Sequence, residues 1–285
     1  MKSKGQNGML LCLGNTAPLF YKKKVVTIHD LGFLRYPHWY SKKFYYFYKF
    51  LIPRIAKNPL KIITVSEFSK KEILDIIGLN DSTIEVVYSG IAARFLNLDE
   101  KKSKNNNDNY ILAVSSLSPN KNFSRVVEAF TKLHLNDTKL VIAGIANRNF
   151  ANDSLYNLVD NQQNVILTGY VDDDELLNLY SHAKLFIYPS LYEGFGLPPL
   201  EAMACGCPCV VSKAASLPEV CGDAALYCDP YSIDDIADKI SRLLVDEKLR
   251  AELIEKGLER VKLFSWQKTA EQVLKIIDDV TNSIH

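Results

Sequence analysis

Two glutamates eight residues apart, Glu193 and Glu201, bracket two glycines and a proline pair in the stretch LYEGFGLPPLEAMACG. An ionised carboxylate only accepts hydrogen bonds, so two of them about one ligand width apart suit a ligand rich in hydroxyls, such as a sugar. Gly194 and Gly196 let the backbone approach a ligand closely or adopt positive φ. Pro198 and Pro199 open a helix, where their missing N–H groups cost nothing. Glu201 then falls in the first helical turn, which favours a carboxylate. The preceding run, Leu185–Tyr188, reads as a strand. A loop after a parallel strand and before a helix is where open α/β sheets bind ligands and where backbone N–H groups attract phosphate. On spacing alone, a glycine loop with one helix-capping glutamate remains the alternative.

Other residues with chemical potential are weaker signals. His29 ends the strand-like run VVTIHD, and a lone histidine there is more often structural than functional. The six cysteines include Cys205, Cys207 and Cys209 at alternate positions, with Cys221 and Cys228 downstream. Zinc spacing is absent, so they read as small buried residues and no metal is assigned.

These residues need a scaffold, and the chain is long enough to supply one. At 285 residues, with 47% hydrophobic and 24% charged content, it has the composition of a soluble globular protein of one large or two modest domains. No apolar run approaches the length of a membrane span, and the N-terminus lacks the apolar core of a signal peptide, so cytoplasmic residence is expected. The net charge of +1 hides a split. Met1 to Ser66 carries twelve lysines and arginines against a single acid, Asp30, whereas the rest of the chain is acidic. Two lobes with different partners are expected.

Short apolar runs alternate with helical patterns. Strands are expected at 9–13, 25–29, 62–65, 84–88, 110–114, 139–143, 165–168, 185–188, 208–211 and 225–227. Helices are expected near 41–56, 66–76, 122–135, 154–158, 172–183, 198–204 and 233–244. Runs without polar alternation suit strands buried on both faces, hence parallel sheets in a doubly wound α/β architecture. Residues 98–109, LDEKKSKNNNDN, read as a linker.

Several segments together resemble the retaining glycosyltransferases of family four. They are the E-x7-E stretch itself, NVILTGYVDDDELLNLYSHAKLFIYPS before it, SLPEVCGDAALYCDP and FSW after it, and VVTIHDLGFLRYPHWYS, IITVSEFSKKEI and IEVVYSGI ahead of the linker. The resemblance is nearest to bacterial mannosyltransferases that build surface polysaccharides. It implies a GT-B fold of two Rossmann-like parallel-sheet domains. An N-terminal acceptor-side domain is expected over 1–98, a linker over 99–109, a nucleotide-sugar domain over 110–263, and a helix over 264–285 that crosses back. Because MLLCLGNTAPLF is similar to material well inside the N-terminal lobe, that lobe is expected to be incomplete.

The same resemblance implies roles for single residues. Glu193 would contact the transferred sugar, and the loop residues Gly194, Phe195, Gly196 and Leu197 would hold sugar and diphosphate. Glu201 would bind the ribose hydroxyls, and Lys121 in SLSPNKNF would neutralise the diphosphate. His29 would reach the donor sugar from the opposite lobe. Tyr170 and Val171 would meet the nucleotide base through their backbone. Leu217, Pro218 and Glu219 would lie near the ribose and helix packing. Where the family often has an arginine close to that lysine, this chain has Asn120 and Ser116. The implied reaction is hexosyl transfer with retention, by departure and attack on one face of the sugar. Glu193 would position and Lys121 would stabilise charge. The implied donor is GDP-mannose or a UDP-sugar, with no metal, and the acceptor is a glycan or a lipid-linked sugar. A nucleotide-sugar-binding partner subunit and a nucleotide-sugar epimerase remain alternatives.

Tyr40–Lys61 adds six bases and seven aromatics without an acid. Read as a helix, it puts Phe44, Phe47, Tyr48, Leu51 and Ile55 on one stripe. Aromatics beside lysines suit the surface of an anionic membrane, with core packing of the stripe as the alternative. No nucleic-acid motif is present.

Overall fold

The computed structural model describes residues 8–96, 109–145, 153–160 and 162–283. Apart from Asn109, the expected linker lies outside them. The first four strands, β1 (Leu10–Cys12), β2 (Lys24–Thr27), β3 (Lys61–Thr64) and β4 (Ile84–Val86), form a parallel sheet in sequence order. The remaining six are β5 (Tyr110–Val114), β6 (Lys139–Ala143), β7 (Val165–Gly169), β8 (Leu185–Tyr188), β9 (Cys209–Ser212) and β10 (Ala225–Cys228). They form a second parallel sheet in the order β10-β9-β8-β5-β6-β7.

Helices connect the strands. In the first lobe these are α1 (Gly32–Arg35), α2 (Lys42–Ala56), α3 (Glu67–Ile77) and α4 (Ala93–Leu96). In the second they are α5 (Phe123–Lys132), α6 (Asp153–Asp160), α7 (Asp173–His182), α8 (Leu197–Ala204), α9 (Leu217–Cys221), α10 (Ile233–Val245) and α11 (Glu247–Val261). The last, α12 (Trp266–Asn282), follows the FSW segment. Among the described residues, no helix is long and apolar enough to cross a membrane.

All ten expected strands form from short apolar runs; every residue of β2, β8 and β9 is buried, whereas the edge strands β1 and β7 are only partly covered. One core lies on each face of the larger sheet. The first includes Leu112, Phe186, Tyr188 and Val211, together with Val65, Ile91 and Phe95 from the N-terminal lobe, so it is continuous across both lobes. The second joins Ile111, Ile142 and Ile187 to α5 and α10. In the smaller sheet, Val26, Ile28 and Ile62 pack on α2 and α3. On its other face, Val25, Ile63 and Val87 meet Val273 and Ile276 of α12. Cys205, Cys207, Cys209 and Cys221 are buried in the first of these cores.

Three expectations need correction. The helix over 247–261 was not anticipated, since its exposed face is dense in charge and its core contribution reduces to few residues such as Leu253, Gly257 and Val261. The helix expected over 122–135 ends at Lys132, and the chain turns at His134 with φ 49°. On α2, Phe44, Tyr48, Leu51 and Ile55 do pack against the N-terminal core, but Phe47 leaves the stripe and is exposed with Tyr46 and Phe50.

Candidate active site between the lobes

In the larger sheet, β5 pairs with β6 on one side and β8 on the other, so the connections leave it in opposite directions. That reversal opens a crevice at the carboxyl ends of β5 and β8, where doubly wound sheets bind ligands. The loop after β5 carries Lys121 and the loop after β8 carries Glu193. The topology therefore brings together two residues far apart in sequence. Lys121 Nζ lies 2.6 Å from Glu193 Oε1.

Three donors converge on that one oxygen. Besides Lys121, the Tyr188 hydroxyl donates at 2.9 Å and the Ser190 hydroxyl at 2.5 Å. Lys121 also donates to the Tyr188 hydroxyl at 2.9 Å. Burial pulls the Lys121 ammonium down, but the Glu193 charge and the Tyr188 contacts outweigh it and hold the group above the ordinary lysine range. Burial first, and the Glu193 charge second, push the Tyr188 phenol far up, so it stays protonated as a donor. An ammonium has three N–H groups, and two are engaged here, which leaves capacity for a phosphate oxygen.

Neighbouring residues fix this geometry. Asn120 stitches the two loops together. Its carbonyl accepts from Leu191 N, and its amide donates to Tyr192 O. Asn122 takes the left-handed conformation, with φ 64°, that asparagine tolerates better than most residues. Its amide donates to Pro189 O and Pro230 O.

The glycine loop is the point where the lobes meet. Gly194 O accepts from Ser66 Oγ at 2.6 Å and Ser69 Oγ at 3.1 Å, both at the start of α3. A Cβ on Gly194 would stand 2.9 Å from Asp30 Cβ and 3.0 Å from His29 O, so a glycine is what allows this approach. Gly196 has φ 109°, and a Cβ there would come within 2.6 Å of Leu217. Phe195 is buried and packs edge-on against Phe264, so only its backbone is available to a ligand. Leu197 begins α8 and packs on the same core.

Glu201 sits in a different environment. It accepts from the Tyr180 hydroxyl at 3.1 Å. Burial pushes its carboxyl up, while Tyr180 and the nearby Arg94 charge hold it down. Arg94 itself is paired with Asp173.

His29 follows β2 on the opposite lobe. Its backbone N–H donates to Asn15 Oδ1, and its Nε2 lies 3.2 Å from Leu13 O. Tyr170, 76% exposed, and Val171 stand at the carboxyl end of the edge strand β7, separated from β8 by β6 and β5. The structure thus brings Lys121, Glu193 and Gly194 to one place, with the His29 carbonyl against them, and leaves Tyr170 and Val171 further along the same sheet edge.

Two groups play parts that the sequence reading did not give them. Asp30 entered it only as the lone acid of a basic segment. Here it abuts Gly194 and accepts from Gly32 N at 2.8 Å. Burial pushes its carboxyl up, the Gly32 N–H lowers it, and the Glu193 charge raises it again. Its place directly after His29 was the available signal. The second group is Glu219, whose carboxylate accepts from Glu67 N at 2.8 Å and Phe68 N at 3.1 Å. It caps α3 across the lobe boundary, which no local pattern encodes. Among the described residues, no three of His, Cys, Asp and Glu gather as a metal-binding group.

Comparison with known proteins gives the family. The family model for glycosyl transferases group 1 matches residues 95–260, and that for glycosyltransferase family 4 matches residues 9–95. The O-antigen chain mannosyltransferase B of Escherichia coli is 32% identical over 276 residues, covering 90% of this chain and 72% of that protein. The serotype-specific mannosyltransferase WbdA of Escherichia coli is 28% identical over 75% of this chain, which spans only 28% of its length. The O-antigen chain mannosyltransferase RfbU of Salmonella typhimurium is 30% identical over 83% of this chain and 68% of that protein. Among solved structures, WaaG, a glycosyltransferase of lipopolysaccharide biosynthesis, superposes with a TM-score of 0.76 at 16% identity, covering 94% of this chain and 77% of that one. Anabaena Alr3699/HepE, solved with UDP and glucose, gives a TM-score of 0.73 at 18% identity, covering 90% and 71%. With the GT-B architecture and both family models in register, the chain belongs to the group 1 glycosyltransferases of family four.

Proposed function

We propose that this glycosyltransferase moves a mannosyl group from a nucleotide-sugar, GDP-mannose first, to a glycan or lipid-linked acceptor during surface polysaccharide synthesis. The observation that carries the chemistry is the Lys121–Glu193 pair at the crevice. The names of the relatives carry the choice of sugar and pathway.

In this reading the donor diphosphate lies over Lys121 and the start of α8. The C1–O bond to the diphosphate breaks and the acceptor oxygen bonds to C1 on the same face. The acceptor proton passes to the departing diphosphate oxygen, so the sugar keeps its configuration. Lys121 offsets the charge that grows on the leaving group, without reorganisation at that moment. Glu193, its Oε1 held by three donors, offers Oε2 to a sugar hydroxyl. His29 closes on the sugar from the opposite lobe. Glu201 takes the ribose hydroxyls, and Tyr170 and Val171 take the base.

The exposed Tyr46, Phe47 and Phe50 of α2, beside Lys49 and Arg54, provide a basic aromatic surface for an anionic membrane that holds the acceptor. Thermal shift with GDP, UDP, ADP and their sugars tests the donor site. A ligand at a hundred times its dissociation constant adds about 2.7 kcal/mol. One nucleotide is expected to stabilise the wild type and to fail on Glu201→Ala, whereas no response from any nucleotide would sink the reading.

A further inference from the structure

The backbone carbonyls of Glu193, Gly194 and Phe195 each lie against a serine hydroxyl. Ser216 Oγ, just before α9, stands 3.0 Å from Glu193 O and 2.7 Å from Phe195 O, so its one proton serves that pair. The carbonyl between them turns instead to the opposite lobe. Gly194 O accepts from Ser66 Oγ at 2.6 Å and from Ser69 Oγ at 3.1 Å. Ser66, Ser69 and Ser216 are fully buried, where a hydroxyl needs a partner. Ser66 Oγ has a second task, since it accepts from Ser69 N at 3.0 Å and so caps α3.

A trans peptide is planar, with its C=O and N–H pointing in opposite directions. Fixing a carbonyl therefore fixes the N–H of the next residue. Ser216 sets the N–H groups of Gly194 and Gly196 from within their own lobe, whereas Ser66 and Ser69 set that of Phe195 from across the boundary. With Gly194 O drawn to the start of α3, the Phe195 N–H points away from α3, toward the C-terminal lobe. Glycine tolerates many backbone conformations, so nothing local to Gly194 prevents this peptide from turning over. A reversed peptide would present the negative end of its dipole where the positive end had been, and would repel an anion.

We infer that Ser66 and Ser69 are positioning residues for sugar transfer: from the N-terminal lobe they hold the Gly194–Phe195 peptide with its N–H presented to the donor diphosphate. Charge grows on that diphosphate as the sugar leaves, so a donor already oriented acts most strongly at that moment. The inference rests on the glycosyl-transfer reading and adds which side chains of the other lobe orient the loop.

Ser66→Gly combined with Ser69→Ala removes both hydroxyls, and because glycine is tolerated at a helix N-cap, α3 keeps its start. The chain has two Gly–Phe steps, Gly32–Phe33 and Gly194–Phe195. Glycine labelled with carbon-13 at the carbonyl and phenylalanine labelled with nitrogen-15 therefore give one carbonyl-filtered amide signal for each, and Phe33→Leu tells them apart. The double variant is expected to move the Phe195 signal and to leave that of Phe33 in place. An unmoved Phe195 signal would overturn the inference, and so would equal movement of both, which would assign the serines to lobe docking alone. Whichever of GDP and UDP stabilises the protein is expected to shift the Phe195 signal of the wild type, and to shift it less in the variant. Release of that nucleotide from its mannose or glucose conjugate should fall about tenfold in kcat, with KM changed less than about twofold. A rise in KM at unchanged kcat would overturn the positioning role and leave glycosyl transfer standing. Silence of the wild type toward both nucleotides would overturn the glycosyl-transfer reading, and the inference with it.

Discussion

Glu193 and Glu201 lie at opposite ends of one loop and helix turn, and the protein treats them in opposite ways. Glu193 is surrounded by donors and paired with an ammonium, and its side chain is 11% exposed. Glu201 has one phenolic donor and a more distant arginine, and burial pushes its carboxyl up. The first carboxylate is compensated before any ligand binds. The second remains under-compensated. A motif that looks symmetric in sequence is asymmetric in energy, which suits one group that fixes geometry and another that gains from binding.

This contrast can be broken at either end. The largest effect should come from Lys121→Ala, which strands Glu193 as a nearly buried charge and should destabilise the fold by about 3–5 kcal/mol. Urea unfolding would measure it. A loss below about 1 kcal/mol, the size of an exposed pair, would mean that Glu193 is not compensated as described. The corresponding cut at Glu201 is Tyr180→Phe, which removes one hydrogen bond to a charged group and should cost about 1.5–3 kcal/mol. If it matches Lys121→Ala, the two glutamates are not held differently.

Glu219→Ala separates loop chemistry from lobe docking. It leaves two N–H groups at the start of α3 uncapped and should cost about 1 kcal/mol. Because Glu219 is contributed by the other lobe, steady-state kinetics should show a higher donor KM without a matching loss in kcat. A selective fall in kcat would instead place Glu219 in the chemical step.

The smallest effect is a pH dependence. Glu201 binds its proton more tightly in the folded state than in the unfolded chain. Its contribution to stability is therefore neutral below the ordinary glutamate range. It becomes unfavourable as pH rises from that value through the raised folded one. Glu201→Gln should remove this downward drift of Tm between acidic and neutral pH. A drift that persists in the variant would assign it to another group, Asp30 being the first candidate since burial also raises its carboxyl.

The comparison also marks what could be read without coordinates. The glycine loop, both glutamates and the strand before them were legible because each is a local pattern: an apolar run, a pair of prolines at a helix start, glycines where the backbone turns. The basic aromatic helix was legible as a helix, but not which rings it buries. Phe47 and Phe44 differ by three positions, yet one is exposed and the other packs in the core, since that choice depends on where neighbouring segments pass. The helix over 247–261 hid behind its charged face.

The sequence by itself determined the alternation of strands and helices, the parallel sheets and the loop chemistry around Glu193, because these follow from backbone conformation and from burial patterns within a few residues. Only the tertiary structure decided that Lys121 meets Glu193, that Asp30 abuts Gly194, and that Glu219 caps a helix of the other lobe. These contacts join segments separated by dozens of residues or more. Their energies depend on burial and on the distances between charges, and those exist only once the sheets have formed and the lobes have met.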